Sequence, residues 1–440
     1  MHLATPEKIR DLQMKLYTKA KQEPKFRFYM LYDKVYRSDI LEFGYRLAKA
    51  NGGEAGVDNE TFAEIEERGL ELWLKGIAEE LRDRKYKPQP VRRVMMPKPG
   101  GGERPLGIPT IRDRVVQTAV KLVLEPIFEA DFEDSAHGYR PGRSATDAVR
   151  EVHKALCDGF TDVVDADLSK YFDTIPHRDL MYAVARRVTD RHMLALVKSW
   201  LKVPVEERDG RGNRRMTGGK KSKRGTPQGG VISPLLANIY INRMLRAWRE
   251  RGKDREYRAR IVAYADDFVV LSRGQAVQAL QWVRWAVDNM GLSLNEAKTT
   301  VRDARQQHFD FLGYTFGPER YRKDGHWYLG AKPSKKSIAR LRLKISELLV
   351  PANNLPFAEV RFRLNRVLRG WSQYFSYGTR YMAYRAVDHY VGERVRHFLR
   401  RRHKVQSRGT TRFGDDVIFG ALGVLQLRTV HLGPAACARV

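Results

Sequence analysis

The sequence predicts a mixed α/β protein: an α-rich N-terminal part, a central β-α-β-β-α-β unit and an all-α, strongly basic C-terminal part. Three observations carry that expectation. Residues 161–168, "TDVVDADL", alternate as a strand, and residues 260–272, "RIVAYADDFVVLS", read as strand, turn and strand. Amphipathic stretches run between and after them, "SPLLANIYINRMLRAWRE" and "GQAVQALQWVRWAVDNMG". With "KTTVRDA" as a last strand, this order is the split βαβ pattern, which sets the first strand beside the later hairpin. The pattern hosts many activities and licenses none by itself.

Taken in order, residues 62–81 are helical, with Phe62, Ile65, Leu72, Ile77 and Leu81 expected near one face. Residues 91–109 read as two extended arms around the turn Gly100–Gly102. "RVVQTAVKLVLEPIF" and "SATDAVREVHKAL" are helical, the second capped by Ser144. Ser233 is expected to cap the helix that follows "TPQGG", with Pro234 at its first position. From about Lys332 onward the pattern is helical and basic.

The 440 residues carry 81 Lys+Arg against 52 Asp+Glu, a net charge of +29. Residues 331–440 hold 22 Lys+Arg and 6 Asp+Glu, so +16 of that excess sits in the last quarter. An excess of this size points to a polyanionic partner, nucleic acid before membrane. No apolar run is long enough for a membrane span, and the N-terminus lacks an apolar signal core, which together predict a cytoplasmic protein. Two cysteines, Cys157 and Cys437, make neither a disulfide framework nor a CxxC zinc pair.

Asp266 and Asp267 stand side by side in the hairpin, and the topology brings Asp167 next to them. Three carboxylates at one strand end repel unless cations compensate. Two Mg²⁺ ions would do so, in the arrangement used for in-line phosphoryl transfer. On its own, Tyr-x-Asp-Asp is also an ordinary polar turn.

It does not stand alone. The ordered set "PKPGGGERPLGIPTIRDRVVQ", "HGYRPGRSATDA", "DADLSKYFDTIPH", "GTPQGGVISPLLANIYIN", "YADD", "GLSLNEAKT" and "FDFLGYTF" resembles the sequence blocks of group II intron reverse transcriptases, and "RGWSQYFSYGT" resembles the maturase region that follows them. The resemblance spans residues 55–410. It implies an α/β right-hand polymerase with fingers, a split-βαβ palm and an all-α thumb/maturase region.

The same resemblance implies roles. Asp167, Asp266 and Asp267 become the metal triad, with the backbone carbonyl of Leu168 as a further ligand. Two Mg²⁺ ions are the implied cofactor, with Mn²⁺ as a substitute. Lys98 and Arg104 flank the glycine turn as the fingertip reaching the triphosphate, where a point charge and a fork suit a developing pyrophosphate. Phe172 is the side chain beneath the sugar that would exclude a 2′-hydroxyl; plain core packing is its other reading. Gln228 lies in the loop at the nucleotide, and Lys298 could protonate the leaving pyrophosphate. Arg140 and Arg143 are expected at template phosphates. Arg366, Arg369, Arg380 and the run Arg400, Arg401, Arg402 are expected to face RNA. The cluster Trp371, Tyr374, Phe375 and Tyr377 fits either helix packing or base stacking.

The expected division is 1–78 N-terminal extension and first finger helices, 79–316 fingers and palm, 317–403 thumb/maturase region and 404–440 a short basic, DNA-binding-like tail. Without paired cysteines after the thumb, no DNA-cutting domain is expected. Implied partners are group II intron RNA, an RNA template with DNA or RNA primer, target DNA and dNTPs, and no membrane. Two rival readings are a splicing cofactor with a vestigial polymerase site, against which all three aspartates stand, and a host-adopted enzyme used in repair or defence. Intron RNA motifs flanking the coding region would separate the latter.

Overall fold

A computed structural model describes residues 3–97, 102–208, 213–321 and 324–430. The chain opens with helices α1 (Glu7–Gln22), α2 (Tyr32–Val35), α3 (Ser38–Asn51), α4 (Phe62–Glu67) and α5 (Leu70–Arg82). The expected single stretch 62–81 breaks at Gly69, whose φ of 100° no helix continues. The break shifts the helical phase: Ile65, Ile77 and Leu81 are buried, but Leu72 is 72% exposed.

Next come β1 (Val91–Pro97) and β2 (Glu103–Ile108), then α6 (Ile111–Glu129) and α7 (Ala145–Cys157). The arms β1 and β2 pair antiparallel from Arg92↔Ile108 to Pro97↔Glu103. Ser144 caps α7 as expected, in a reciprocal box with Asp147.

The palm follows: β3 (Asp162–Asp167), α8 (Tyr171–Thr174), α9 (His177–Ala185), α10 (Arg191–Leu201), β4 (Pro204–Arg208), β5 (Arg214–Gly218), α11 (Ser233–Glu250), α12 (Lys253–Glu256), β6 (Ala259–Tyr264), β7 (Asp267–Ser272), α13 (Ala276–Asn289) and β8 (Thr300–Asp303). The palm sheet has the order β6-β7-β3-β8 with every pairing antiparallel, as the split βαβ pattern requires. A second sheet, β2-β1-β4-β5, is formed by the fingers arms and the β4–β5 hairpin inserted before α11.

Strand alternation gives β3 two different faces. Val164 and Ala166 join the core built with α11 and α13, while Val163 joins a second core with α7 and the strands described next. Asp165 and Asp167 share the parity of Val163 and so stand on that second face.

Strands β9 (Phe309–Phe311), β10 (Tyr314–Arg320) and β11 (Trp327–Pro333) form a small sheet, and the helices α14 (Lys335–Leu348), α15 (Phe357–Tyr374) and α16 (Tyr381–Arg402) complete the C-terminal part. The boundary expected at 316/317 therefore falls inside β10, and the helical region begins at Lys335. Gly317 lies within that strand, where a Cβ would meet His308 at 2.8 Å.

Ser233 does not cap α11: it is the helix's first residue, and its hydroxyl donates to the Pro227 carbonyl at 2.8 Å. The aromatic cluster packs. Phe375 is buried against Trp371 and Tyr314, with centroids at 4.8 and 4.9 Å. Tyr374 donates to the Leu312 carbonyl, and Tyr377 pairs with His153 at 2.7 Å.

Residues 404–430 fold back rather than project. Phe413, Ile418, Val424 and Leu427 enter the core of α14–α16. Asp388, buried on α16, accepts the backbone N–H of Leu427 at 2.7 Å and of Arg428 at 3.1 Å. Removing that carboxylate leaves two amides without partners. Asp388→Ala is expected to cost about 1–3 kcal/mol locally and to speed both hydrogen exchange at Leu427 and Arg428 and proteolysis between 404 and 412. Unchanged protection of both amides would show that the apolar contacts alone hold the segment.

Candidate active site

The hairpin β6–β7 turns through Ala265 and Asp266, since Tyr264 pairs with Asp267. Ala265 has φ 59°, a left-handed conformation that a two-residue hairpin loop demands and an alanine resists. The segment before Tyr139 braces it. His137 donates its backbone N–H to Ala263 O, Ala263 donates to Ser135 O, and Asn238 from α11 holds Gly138 O at 2.7 Å. Gly138 lies so close that a Cβ there would sit 2.3 Å from the Ala265 nitrogen. The glycine of "HGYRPG" is thus required by contact with the turn of "YADD".

The register sets Asp167 directly opposite Asp267. Lys298 donates to Asp167 Oδ2 at 2.7 Å, and Asn295 approaches the same oxygen at 3.3 Å while its backbone N–H bonds Asp167 O at 2.8 Å. Burial, followed by Asp266, Asp167 and Asp165, pushes the Asp267 carboxyl up to about 6. Burial and Asp167 also raise Asp266. The hydrogen bond to Asp167 raises Lys298 and keeps it charged. Among the described residues no three His, Cys, Asp or Glu side chains already converge as a metal cage. Instead, the Asp167 carboxylate is turned to the lysine ammonium.

A hydrogen-bonded chain runs along one edge. Arg104 Nε donates to Gln228 Oε1 at 3.0 Å, and Gln228 Nε2 donates to Asp173 Oδ2 at 3.1 Å. The loop carrying Gln228 is clamped from both sides, Gly107 N–H to Gln228 O and Thr226 N–H to Phe172 O. Gly229 fits only without a side chain: φ is 106° and a Cβ would meet Gly107 O at 2.2 Å. Phe172 is 6% exposed and meets the Tyr139 ring edge-on at 6.4 Å. Leu168 is buried, bridged to Leu294.

Three residues at this site were not singled out from sequence. Tyr139 was passed over for the arginines beside it, although its pKa is raised by burial and by Asp266. Asn295 lay in plain view in "LNEAKT". Asp165, two residues before Asp167, shares its face and is pushed to about 6 by burial; strand alternation was the signal for it.

Other expectations divide. Lys98 lies outside the described residues. Arg140 is not a template contact: it is 8% exposed, forked onto Glu129 and bonded to the carbonyls of Glu133 and Ala136. Its charge sits inside the fold because that pocket supplies a carboxylate and two carbonyls. Arg143 is held by Asp134. Arg366 and Arg369 are exposed on α15. Arg380 bonds the Ser376 carbonyl. Within the terminal run, Arg401 is exposed, the stem of Arg400 packs on Gly409, and Arg402 donates to Leu355 O at 2.7 Å. That run is therefore partly a brace between α16 and the α14–α15 connection.

Comparison with known proteins agrees with this geometry. The reverse transcriptase (RNA-dependent DNA polymerase) family matches residues 96–316, and the group II intron maturase-specific domain matches residues 338–413. Protein YkfC of Escherichia coli (strain K12) is 34% identical over 366 residues, covering 75% of this chain and 93% of that protein. Group II intron-encoded protein LtrA of Lactococcus lactis subsp. cremoris is 29% identical over 376 residues, which cover 71% of this chain and 60% of LtrA. A solved telomerase from Candida albicans in complex with a TWJ fragment of telomeric RNA aligns with 82% of this chain and 68% of its own at 13% identity, but its TM-score of 0.43 adds nothing to the assignment. The sheet order, the facing aspartates and the two family matches place the chain in the group II intron reverse transcriptase family, as an RNA-directed DNA polymerase joined to a maturase domain.

Proposed function

We propose that the centre formed by Asp167, Asp266 and Asp267 adds dNTPs to a primer 3′ end on an RNA template with Mg²⁺, and that the helical C-terminal part holds group II intron RNA for splicing and for retrohoming into target DNA. The observation that carries the first half is the register of Asp167 against Asp267 with Lys298 bound across it. The donors are hard carboxylate oxygens that repel one another and draw in a cation, so they suit Mg²⁺, and Mn²⁺ in its place. Asp167, Asp266, Asp267 and the Leu168 carbonyl would hold the metal pair, which when bound activates the primer hydroxyl and stabilises the pyrophosphate.

The chain's own residues supply the rest. Arg104, held by Gln228, presents its fork to the triphosphate, and Lys98 is assigned to the same triphosphate from the sequence alone. Lys298, held protonated beside Asp167, is placed to give a proton to the departing pyrophosphate. Phe172, packed under Tyr139, forms a floor on which a 2′-hydroxyl has no room. Arg366 and Arg369 present charge to RNA phosphates. A nucleoid-associated, cytoplasmic setting and a mobile role belong to the same reading; intron RNA motifs flanking the coding region would separate it from a host-adopted one.

Asp266→Ala is expected to abolish primer extension on an RNA template while RNA affinity stays within about threefold, because a carboxylate adds nothing favourable to phosphate binding. Substantial residual synthesis would sink the triad assignment. Phe172→Ala should raise rNTP use relative to dNTP by about tenfold or more, read from competing single-nucleotide incorporation. Equal discrimination in a folded variant would move the gate elsewhere.

The raised Asp267 group also yields a pH dependence. Its pKa in the fold, about 6, lies above the ordinary value of 3.8, so folding disfavours the ionised form. That penalty is absent below about pH 4, grows as pH rises to 6 and is complete above it. Asp267→Asn should therefore raise Tm by roughly 1–3 °C at pH 8 without divalent ions, and leave it unchanged near pH 4. The carboxylate still reaches water, which keeps the effect small. Thermal melts at both pH values test it; an equal or lower Tm at pH 8 refutes the charge conflict.

A further inference from the structure

Asp173 follows Phe172 in the short helix α8, and its exposed carboxylate meets the loop that carries Gln228. The main chains of the two segments are joined without it. Thr226 N–H donates to Phe172 O at 2.7 Å, and Gly225 N–H donates to Ile175 O at 2.9 Å. His177 Nε2–H donates to the Gly225 carbonyl at 2.6 Å. Gly225, with φ 91°, lets the loop come so close that a Cβ would sit 3.0 Å from the Asp173 carbonyl oxygen. These backbone links set the path of the loop, and the carboxylate at 173 is left for another purpose.

Polarity shows what that purpose is. A glutamine amide has an acceptor at one end and a donor at the other, and the two ends have nearly the same shape. A carboxylate only accepts, so Asp173 Oδ2 takes Gln228 Nε2 at 3.1 Å and turns Oε1 the other way. There Oε1 meets Arg104 Nε–H at 3.0 Å. A reversed amide would set donor against donor at Arg104 and acceptor against acceptor at Asp173. Engaging Nε fixes the plane of the guanidinium and leaves Nη1 and Nη2 to meet phosphate oxygens. Arg104 belongs to β2 and Asp173 to the palm. Without the carboxylate, the Gln228 side chain loses one of its two partners, and the guanidinium plane is held from one side less.

We propose that Asp173 is a positioning residue for nucleotide addition: acting through Gln228, it orients the Arg104 guanidinium that receives the triphosphate. It reaches the substrate only through those two side chains. The inference rests on the assignment of Arg104 to the triphosphate made above, and adds the residue that aims it. Adjacent residues of α8 thus divide the work, the Phe172 ring at the sugar and the Asp173 carboxylate, by way of an amide, at the phosphates.

Single-turnover incorporation on an RNA template, with the full chain, separates dNTP affinity from the rate at saturation. Asp173→Ala should weaken dNTP affinity about fivefold, with the saturated rate within about twofold and rNTP discrimination unchanged, since Phe172 stays packed. Inorganic pyrophosphate, which has neither base nor sugar, should lose inhibition by the same factor in that variant. Asp173→Asn keeps an oxygen for Gln228 Nε2 and should remain within about twofold of wild type in every readout. In an Arg104→Ala background, Asp173→Ala should add less than about twofold, because the side chain it aims is gone. Unchanged dNTP affinity in Asp173→Ala, a loss confined to the saturated rate, a loss that Asp173→Asn shares in full, or full additivity with Arg104→Ala would each overturn the positioning role. If Arg104→Ala itself leaves dNTP and pyrophosphate affinity unchanged, the triphosphate assignment fails; if it weakens both while the Asp173 variants do not, only the role of Asp173 falls.

Discussion

The antiparallel register of β3 on β7 is the constraint that the surrounding site answers. It pairs Asp167 with Asp267 and so drives two carboxylates together, with Asp266 adjacent in the turn and Asp165 two residues back. Six paired positions from Asp162↔Ser272 to Asp167↔Asp267 make that register hard to slip. Its apolar members, Val163, Val164, Val269 and Val270, are buried on the two faces of the sheet. The strands thus supply the free energy that the charges resist. Lys298 and Asn295 relieve part of the conflict from the connection before β8, and the rest persists as raised carboxyl groups. A fold that stores repulsion at one point gives up some stability to keep it there.

The fingers are tied to this centre by few but directional links. Gln228 stands between Arg104 on β2 and Asp173 at the end of the Phe172 segment, and its two amide atoms are used in opposite senses. That polarity fixes the amide's orientation. Because the Gln228 loop also bonds Gly107 and Phe172 through its backbone, β2 and the Phe172 segment cannot shift independently. The positions of Phe172 and Arg104 are thereby coupled through one loop. Tyr139, held over the Ala265 turn by Gly138, closes the same unit from the other side.

Features set by local pattern were legible in the sequence. The alternation of "TDVVDADL", the hairpin turn in "YADD" and the Ser144 cap each depend on neighbours within a few residues, and each is found where expected. Features set by distant partners were not. Arg140 reads as a surface cation until Glu129 and two carbonyls are seen around it. Ser233 sits one place before a proline, yet the carbonyl of Pro227 diverts its hydroxyl. Leu72 obeys the right spacing in the wrong phase, since Gly69 restarts the helix. Tyr139, Asn295 and Asp165 have no motif of their own; only the fold brings them to Asp167 and the hairpin turn. The thumb's charge was legible in amount but not in direction, for Arg402 braces a loop carbonyl while Arg366 and Arg369 stay exposed.

The same alternation that builds the centre also divides the palm's labour. Toward its end β3 places Asp165 and Asp167 on one face, while Val164 and Ala166, of the other parity, are buried against the helical layer to which α11 belongs. Helix α11 therefore has two tasks along its length. Near its start, the Gln228 loop bonds Arg104 and Asp173, and Asn238 holds the Gly138 carbonyl beside the Ala265 turn. Three turns on, Arg243 and Arg246 line a separate basic cleft. Acidic and basic groups on one small domain would neutralise each other if they shared a surface, since a neighbouring guanidinium pairs with a carboxylate. Placing the carboxylates on the opposite sheet face lets the chain carry a charge of +29 and still keep an anionic centre.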